Sequence, residues 1–165
     1  MTKSPNKPPV ARRRTILLLG LAGTAALGAI AFAASTATVP AVEVLLYKNP
    51  ECECCEGYAQ YLRDNGFAVT VEATQDLPIM QRMVGVPEGF EGCHLSMIEG
   101  YAVAGHVPIG MVNRLLAERP ALGGILLPGM PMGSPGMAGT KESPFVVYEI
   151  GGSHAGGEPK VYATE

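Results

Sequence analysis

The chain has 165 residues, 12 Lys+Arg and 15 Asp+Glu, a formal net charge of −3, and 47% hydrophobic residues. All 15 acidic residues lie at or beyond Glu43, whereas Lys3, Lys7, Arg12, Arg13 and Arg14 supply five of the basic ones. Past the leader, 7 basic residues therefore face 15 acidic ones, a net charge of −8 with histidine neutral, which argues against a nucleic-acid partner.

The leader comes first in the chain. Basic residues precede the charge-free stretch 15–42, and Ala31-Phe32-Ala33 offers a small-x-small cleavage site, the layout of a secretory signal. Residues 16–34 also approach the roughly 20 apolar residues that span a bilayer, so 1–34 reads as a signal peptide or an N-terminal membrane anchor. Either way the body is exported, and membrane contact is expected only through an uncleaved leader. Arg13-Arg14-Thr15-Ile16-Leu17 resembles a twin-arginine signal. Residues 35–41 form a small-residue linker, 42–150 one domain, and 151–165 a C-terminal tail. About 130 residues suffice for one domain burying roughly two-thirds of its unfolded surface.

The apolar run 42–47 predicts a buried first strand, broken by Lys48-Asn49-Pro50. Helical spacing follows through Tyr58, Tyr61 and Leu62 to Asn65-Gly66, where glycine tolerates the left-handed end of a helix. Residues 67–71 alternate as a second strand. Asp76 is placed to cap a second helix that carries Met80, Met83 and Val84 inward until Gly85-Val86-Pro87 stops it. Cys93-His94 precedes an apolar strand at 95–98, and Glu99-Gly100 predicts a hairpin turn into 101–103. Pro108 opens a third helix with an apolar stripe of Met111, Val112, Leu115 and Leu116, closed by Arg119-Pro120. Residues 127–137 place three methionines among prolines and glycines and cannot be helical. Residues 145–150 and 160–163 pair as a short edge hairpin. The order β-α-β-α-β-β-α predicts an α/β, thioredoxin-like mixed sheet flanked by helices on both faces, with a Pro/Gly/Met-rich C-terminal extension.

The chemistry centres on Pro50-Glu51-Cys52-Glu53-Cys54-Cys55-Glu56, at the predicted strand-to-helix junction. A helix N-terminus favours thiolates. The three glutamates oppose a free thiolate but compensate a bound cation. Cys52 and Cys55 make a C-x-x-C pair, while Cys54 is a third sulfur that dithiol exchange does not need, so the stretch reads as a soft-metal thiolate site. In an oxidising compartment the four cysteines can instead form two disulfides in three connectivities.

Four motifs taken in order carry a resemblance: Tyr47-Lys48-Asn49-Pro50-Glu51-Cys52-Glu53-Cys54-Cys55, Gly92-Cys93-His94, Gly105-His106-Val107-Pro108, and Pro128-Gly129-Met130-Pro131-Met132-Gly133-Ser134-Pro135-Gly136-Met137. Together they resemble the small periplasmic copper-resistance proteins of the CopG type over about 42–150. The resemblance implies a thioredoxin-like domain whose cysteines, matching Cys52, Cys54, Cys55 and Cys93, hold copper in a thiolate-bridged cluster. A copper oxidoreductase role has been proposed for such proteins. Where a thioredoxin-like fold normally presents a cis-proline, this chain has Gly92-Cys93-His94, which argues against dithiol exchange.

Thiolates and thioethers are soft ligands suited to Cu(I), and four sulfurs from two loops can bridge several monovalent ions, silver included. Zinc usually draws on separated cysteine pairs, whereas Cys54 and Cys55 are adjacent. His94 and His106 can ligate or orient the metal, or serve as hydrogen-bonded structural histidines. Met130 and Met132, two apart, face one side if extended, and otherwise pack as a lid. Met80, Met83, Met97 and Met111 read as core. Three functions follow: a periplasmic Cu(I)-binding protein for copper or silver resistance that exchanges metal with other copper-handling proteins, a copper redox enzyme, and a thiol-disulfide oxidoreductase.

Overall fold

The computed structural model describes residues 40–151 and 159–165, so the leader, its cleavage site and His154 lie outside the described residues. In chain order the elements are β1 (Glu43–Lys48), α1 (Glu53–Asp64), β2 (Ala68–Ala73), α2 (Leu77–Met83), β3 (His94–Ile98), β4 (Tyr101–Ala104), α3 (Ile109–Glu118), β5 (Gly124–Leu126), β6 (Val146–Ile150) and β7 (Val161–Thr164). Among the described residues the strands form one seven-stranded mixed sheet, ordered β2-β1-β3-β4-β5-β6-β7. β1 and β2 are parallel, as are β4 and β5, and the other neighbours are antiparallel.

The two-residue period of the strands divides the core between the two faces of the sheet. Val44 and Leu46 of β1, Ile98 of β3, Val103 of β4 and Ile125 of β5 pack with Tyr58, Ala59 and Leu62 of α1 and Met111, Val112 and Leu115 of α3. Leu95, Ala102, Ala104 and Leu126 point the other way, with Leu77 of α2 and partly buried Met80 and Val84. Helices thus cover both faces, α1 and α3 on one and α2 on the other. Each fully buried large apolar side chain contributes about 1.5–3 kcal/mol. The α1 stripe, bought at no loss of helix propensity in Ala59 and Leu62, is the main tie between helix and sheet.

Glu99 and Gly100 adopt φ of 47° and 88°, the left-handed pair of a two-residue hairpin turn between β3 and β4. Two sequence expectations need correction. Met83 is 80% exposed, because α2 is only seven residues long and buries Leu77 and Gln81 instead. Residues 124–126 form β5, a central strand that sequence patterning did not indicate: three residues beginning with glycine are too short to display a period. At Gly124 a Cβ would lie 1.8 Å from the Ala102 carbonyl oxygen, so close strand packing requires glycine there. The hairpin expected near the C-terminus is present as β6 and β7, so Val161–Thr164 contributes an edge strand to the same sheet. Among the described residues no helix is long and apolar enough to cross a membrane.

Candidate metal centre

Strand register brings distant segments to one edge of the sheet. Lys48, the last residue of β1, pairs with His94, the first of β3. The loop leaving β1 therefore lies beside the loop entering β3. Ala104 at the end of β4 is bonded to Leu127, just beyond β5. The cysteine loop, Cys93, the Gly105-His106 turn and the start of 127–137 consequently converge. Cys52 is the N-cap of α1, which places Cys54 and Cys55 in its first turn.

The four cysteine sulfurs lie within 4.8 Å of one another. Cys52 and Cys55 are joined as a disulfide, and Cys54 and Cys93 are free. In this oxidation state two of the four expected thiolates are therefore not available as such. Of the two-bridge alternatives, none forms. Cys54 Sγ lies 3.3 Å from Cys52 Sγ and 3.8 Å from Cys93 Sγ. Cys55 Sγ is 3.3 Å from the Cys93 carbonyl oxygen.

Cys93 also belongs to a second group with His94 and His106. Its sulfur is 3.6 Å from His94 Nδ1 and 3.7 Å from His106 Nε2. Both imidazoles are buried, His94 stacked on the Tyr58 ring and His106 edge-on to it. Burial, reinforced by the neighbouring His106, holds the His94 pKa down to about 3, and burial likewise lowers that of His106. Burial and then the nearby Cys54 push the Cys93 thiol up to about 12. At neutral pH the site is therefore a thiol between neutral imidazoles, not a thiolate–imidazolium nucleophile. Metal binding there would displace the thiol proton.

The tautomer of His106 follows from its partner. Nδ1 lies 2.7 Å from the Pro135 carbonyl oxygen, which can only accept, so Nδ1 carries the proton and the Nε2 lone pair faces Cys93. A histidine oriented in this way by a carbonyl is suited to ligate metal. His94 Nε2 and Ser96 Oγ, two residues apart on β3, are buried without a hydrogen-bond partner among the described residues.

Residues 127–137 are built into the site. Besides the Pro135 bond, Gly136 meets Gly57 on α1 so closely that a Cβ on Gly57 would lie 2.2 Å from the Gly136 oxygen. Met130 Sδ lies 3.9 Å from Cys54 Sγ. The segment is not extended: left-handed glycines at 129 and 133 and a Ser134–Pro131 turn fold it. Met132 accordingly lies beside Gly139 instead of sharing the direction of Met130. The structure thus brings Cys52, Cys54, Cys55, Cys93, His94, His106 and Met130 together, while Met132 packs beside Gly139.

Lys48 was not singled out by sequence. Its largely buried ammonium donates to the Cys52 carbonyl at 2.9 Å and pairs with Glu56 at 3.1 Å. Glu56 is half exposed, so the pair acts chiefly as a positional tie. The signal was available as a lone charge ending an apolar strand immediately before the cysteines. Tyr58, read only as helix stripe, donates its hydroxyl to the Val107 carbonyl and forms the floor under both histidines.

A family model described as "Protein of unknown function, DUF411" matches residues 90–137. Two solved structures are similar. "Copper resistance protein copG- Form 2" is 31% identical, with a TM-score of 0.67, covering 76% of this chain and 99% of that one. "Copper resistance protein copG- Form 1" is 31% identical, with a TM-score of 0.66, covering 76% of this chain and 98% of that one. No curated protein matches by sequence. The four-cysteine cluster and these neighbours fit copper binding.

Proposed function

Because this chain belongs to the CopG-type family of copper-resistance proteins, we propose that it is an exported protein that carries Cu(I) as cargo on Cys52, Cys54, Cys55 and Cys93. The observation that carries this reading is the gathering of four sulfurs from two loops into one small volume, with Cys93 shared between that cluster and the two histidines. Soft sulfur donors select a monovalent soft ion, copper or silver. His106, His94 and Met130 supply further donors at the rim of the cluster, and Met132, on the same 127–137 segment, is a further thioether. Several ions can be bridged when the Cys52–Cys55 disulfide is reduced, so loading depends on a thiol reductant. The leader 1–34 delivers the domain to the periplasm or anchors it at the outer face of the inner membrane, where other copper-handling proteins exchange metal with it.

Anaerobic Cu(I) titration of the reduced protein, read by X-ray absorption, is the direct test. Sulfur-dominated coordination that weakens in Cys54→Ser and Cys93→Ser is the expected result. Unchanged binding in both variants would overturn the reading.

Two observations favour further readings. The Cys52–Cys55 disulfide with Cys54 at 3.3 Å from Cys52 suits thiol-disulfide exchange, which predicts that metal-free protein, once a thiol reductant has converted Cys52 and Cys55 to the dithiol, reduces insulin as that disulfide re-forms. Imidazole nitrogens next to thiolates suit both Cu(II) and Cu(I), as a copper oxidoreductase requires.

A further inference from the structure

Gln81 lies on α2, on the sheet face opposite α1, and is 1% exposed. A buried amide needs partners, and both of its polar atoms find them on a single residue. Nε2 donates to the Gly92 carbonyl at 2.7 Å, and Oε1 accepts from the Gly92 N–H at 2.9 Å. The amide orientation is settled by chemistry: turned over, it would set donor against donor and acceptor against acceptor. Gly92 is held from the other side as well, since a Cβ there would lie 3.0 Å from the Gly105 nitrogen. The next residue is Cys93, whose sulfur belongs to both groups of potential ligands.

We infer that Gln81 is a positioning residue for the metal centre: its paired hydrogen bonds to Gly92 fix the loop that presents Cys93 to Cys54. This rests on the copper-binding reading for its purpose, though not for its geometry. Gly92 has no side chain with which to anchor itself, and its peptide groups lie outside the ladder that begins at His94. The amide does for this loop what a neighbouring strand does for residues inside the sheet. With it in place, Cys93 Sγ stays 3.8 Å from Cys54 Sγ. Without it, a buried N–H and C=O on Gly92 would each seek another partner, and the loop would move to find one.

The test uses metal-free protein with the Cys52–Cys55 disulfide intact, in which Cys54 and Cys93 are the free thiols. Dibromobimane, which fluoresces on bridging two adjacent thiols, reads their separation, and Cu(I) affinity of the reduced protein is measured in parallel. Gln81→Met, similar in length but unable to hydrogen-bond, slows bridging and lowers Cu(I) affinity by about tenfold or more, the scale on which outer partners of a metal site act. Ile98→Val, at the opposite end of β3, is the control for destabilisation alone and leaves both readouts at wild-type values. Wild-type bridging in Gln81→Met, or an equal loss in Ile98→Val, overturns the inference. If the wild-type protein binds no Cu(I), the proposed function falls, while the bridging comparison still decides the role of Gln81.

Discussion

The site has two walls of different character. The wall formed by the loop from β1 and the first turn of α1 carries Cys52, Cys54 and Cys55, two of them in a disulfide, among the acidic residues Glu51, Glu53 and Glu56. Its ties are the Lys48 ammonium on the Cys52 carbonyl and the Asn49–Cys52 turn. The opposite wall carries Cys93, His94 and His106, the two imidazoles buried and neutral, seated on Tyr58 and fastened through Pro135, Gly105 and Gln81. The difference teaches that sulfur chemistry is concentrated where the chain can change oxidation state, and geometry is held where it cannot. Cys93 alone belongs to both.

That contrast breaks most severely at Cys93. Cys93→Ser is expected to lower Cu(I) affinity by more than the roughly 100-fold upper range of outer-partner mutations, because a hydroxyl is a poor ligand for a soft ion and both walls lose their shared donor. Cys52→Ser, confined to one wall, should lose less. Competition titration against a Cu(I) chelator ranks the two, and the reverse order would refute the division.

His106→Ala comes next. It removes the bond to Pro135 and one face of the rigid wall, with an expected loss of about 10- to 100-fold in affinity. Residues 127–137 should also become open to proteolysis, since their tie to the domain is weakened. An unchanged digestion pattern would mean that the Gly57–Gly136 contact holds the segment by itself.

Acid sharpens the comparison without touching the sulfurs. His94 faces Tyr58, His106 and Cys93, none of which supplies a negative charge at neutral pH. Unfolded, it takes up a proton below its ordinary value of 6.5, but folded it resists to about 3. The unfolded state therefore binds more protons across that window, and stability of the metal-free protein falls as pH drops through it. For this one group the slope is about 1.4 kcal/mol per pH unit. Denaturant melts of His94→Gln should show that much less slope, and an identical pH profile would contradict the burial argument.

The smallest effect is expected at Met130, whose sulfur meets Cys54 and whose side chain is half exposed. Met130→Leu keeps the volume and should change Cu(I) affinity by less than about tenfold, with stability altered by under about 1.5 kcal/mol. A larger loss, measured in the same titration, would promote the thioether to a principal ligand.

Much of this was legible from local signals. Hydrophobic period, a Gly-bearing turn and proline placement read directly as β1, α1, β3, β4 and α3, because each is decided within a few residues. The cysteine spacing by itself identified a sulfur site at a strand-to-helix junction. Met83 misled because an apolar residue near the end of a seven-residue helix has no obligation to face inward. β5 was hidden because its identity as a strand comes from hydrogen bonds to β4 and β6, not from its own three residues. The oxidation state of the C-x-x-C pair, the parting of Met130 from Met132, and the roles of Lys48, Tyr58 and Gln81 also escaped the sequence. They depend on partners 3 to 76 positions away along the chain. Local order follows from neighbouring residues, but which side chain reaches which sulfur follows from strand register, and only the folded sheet sets that.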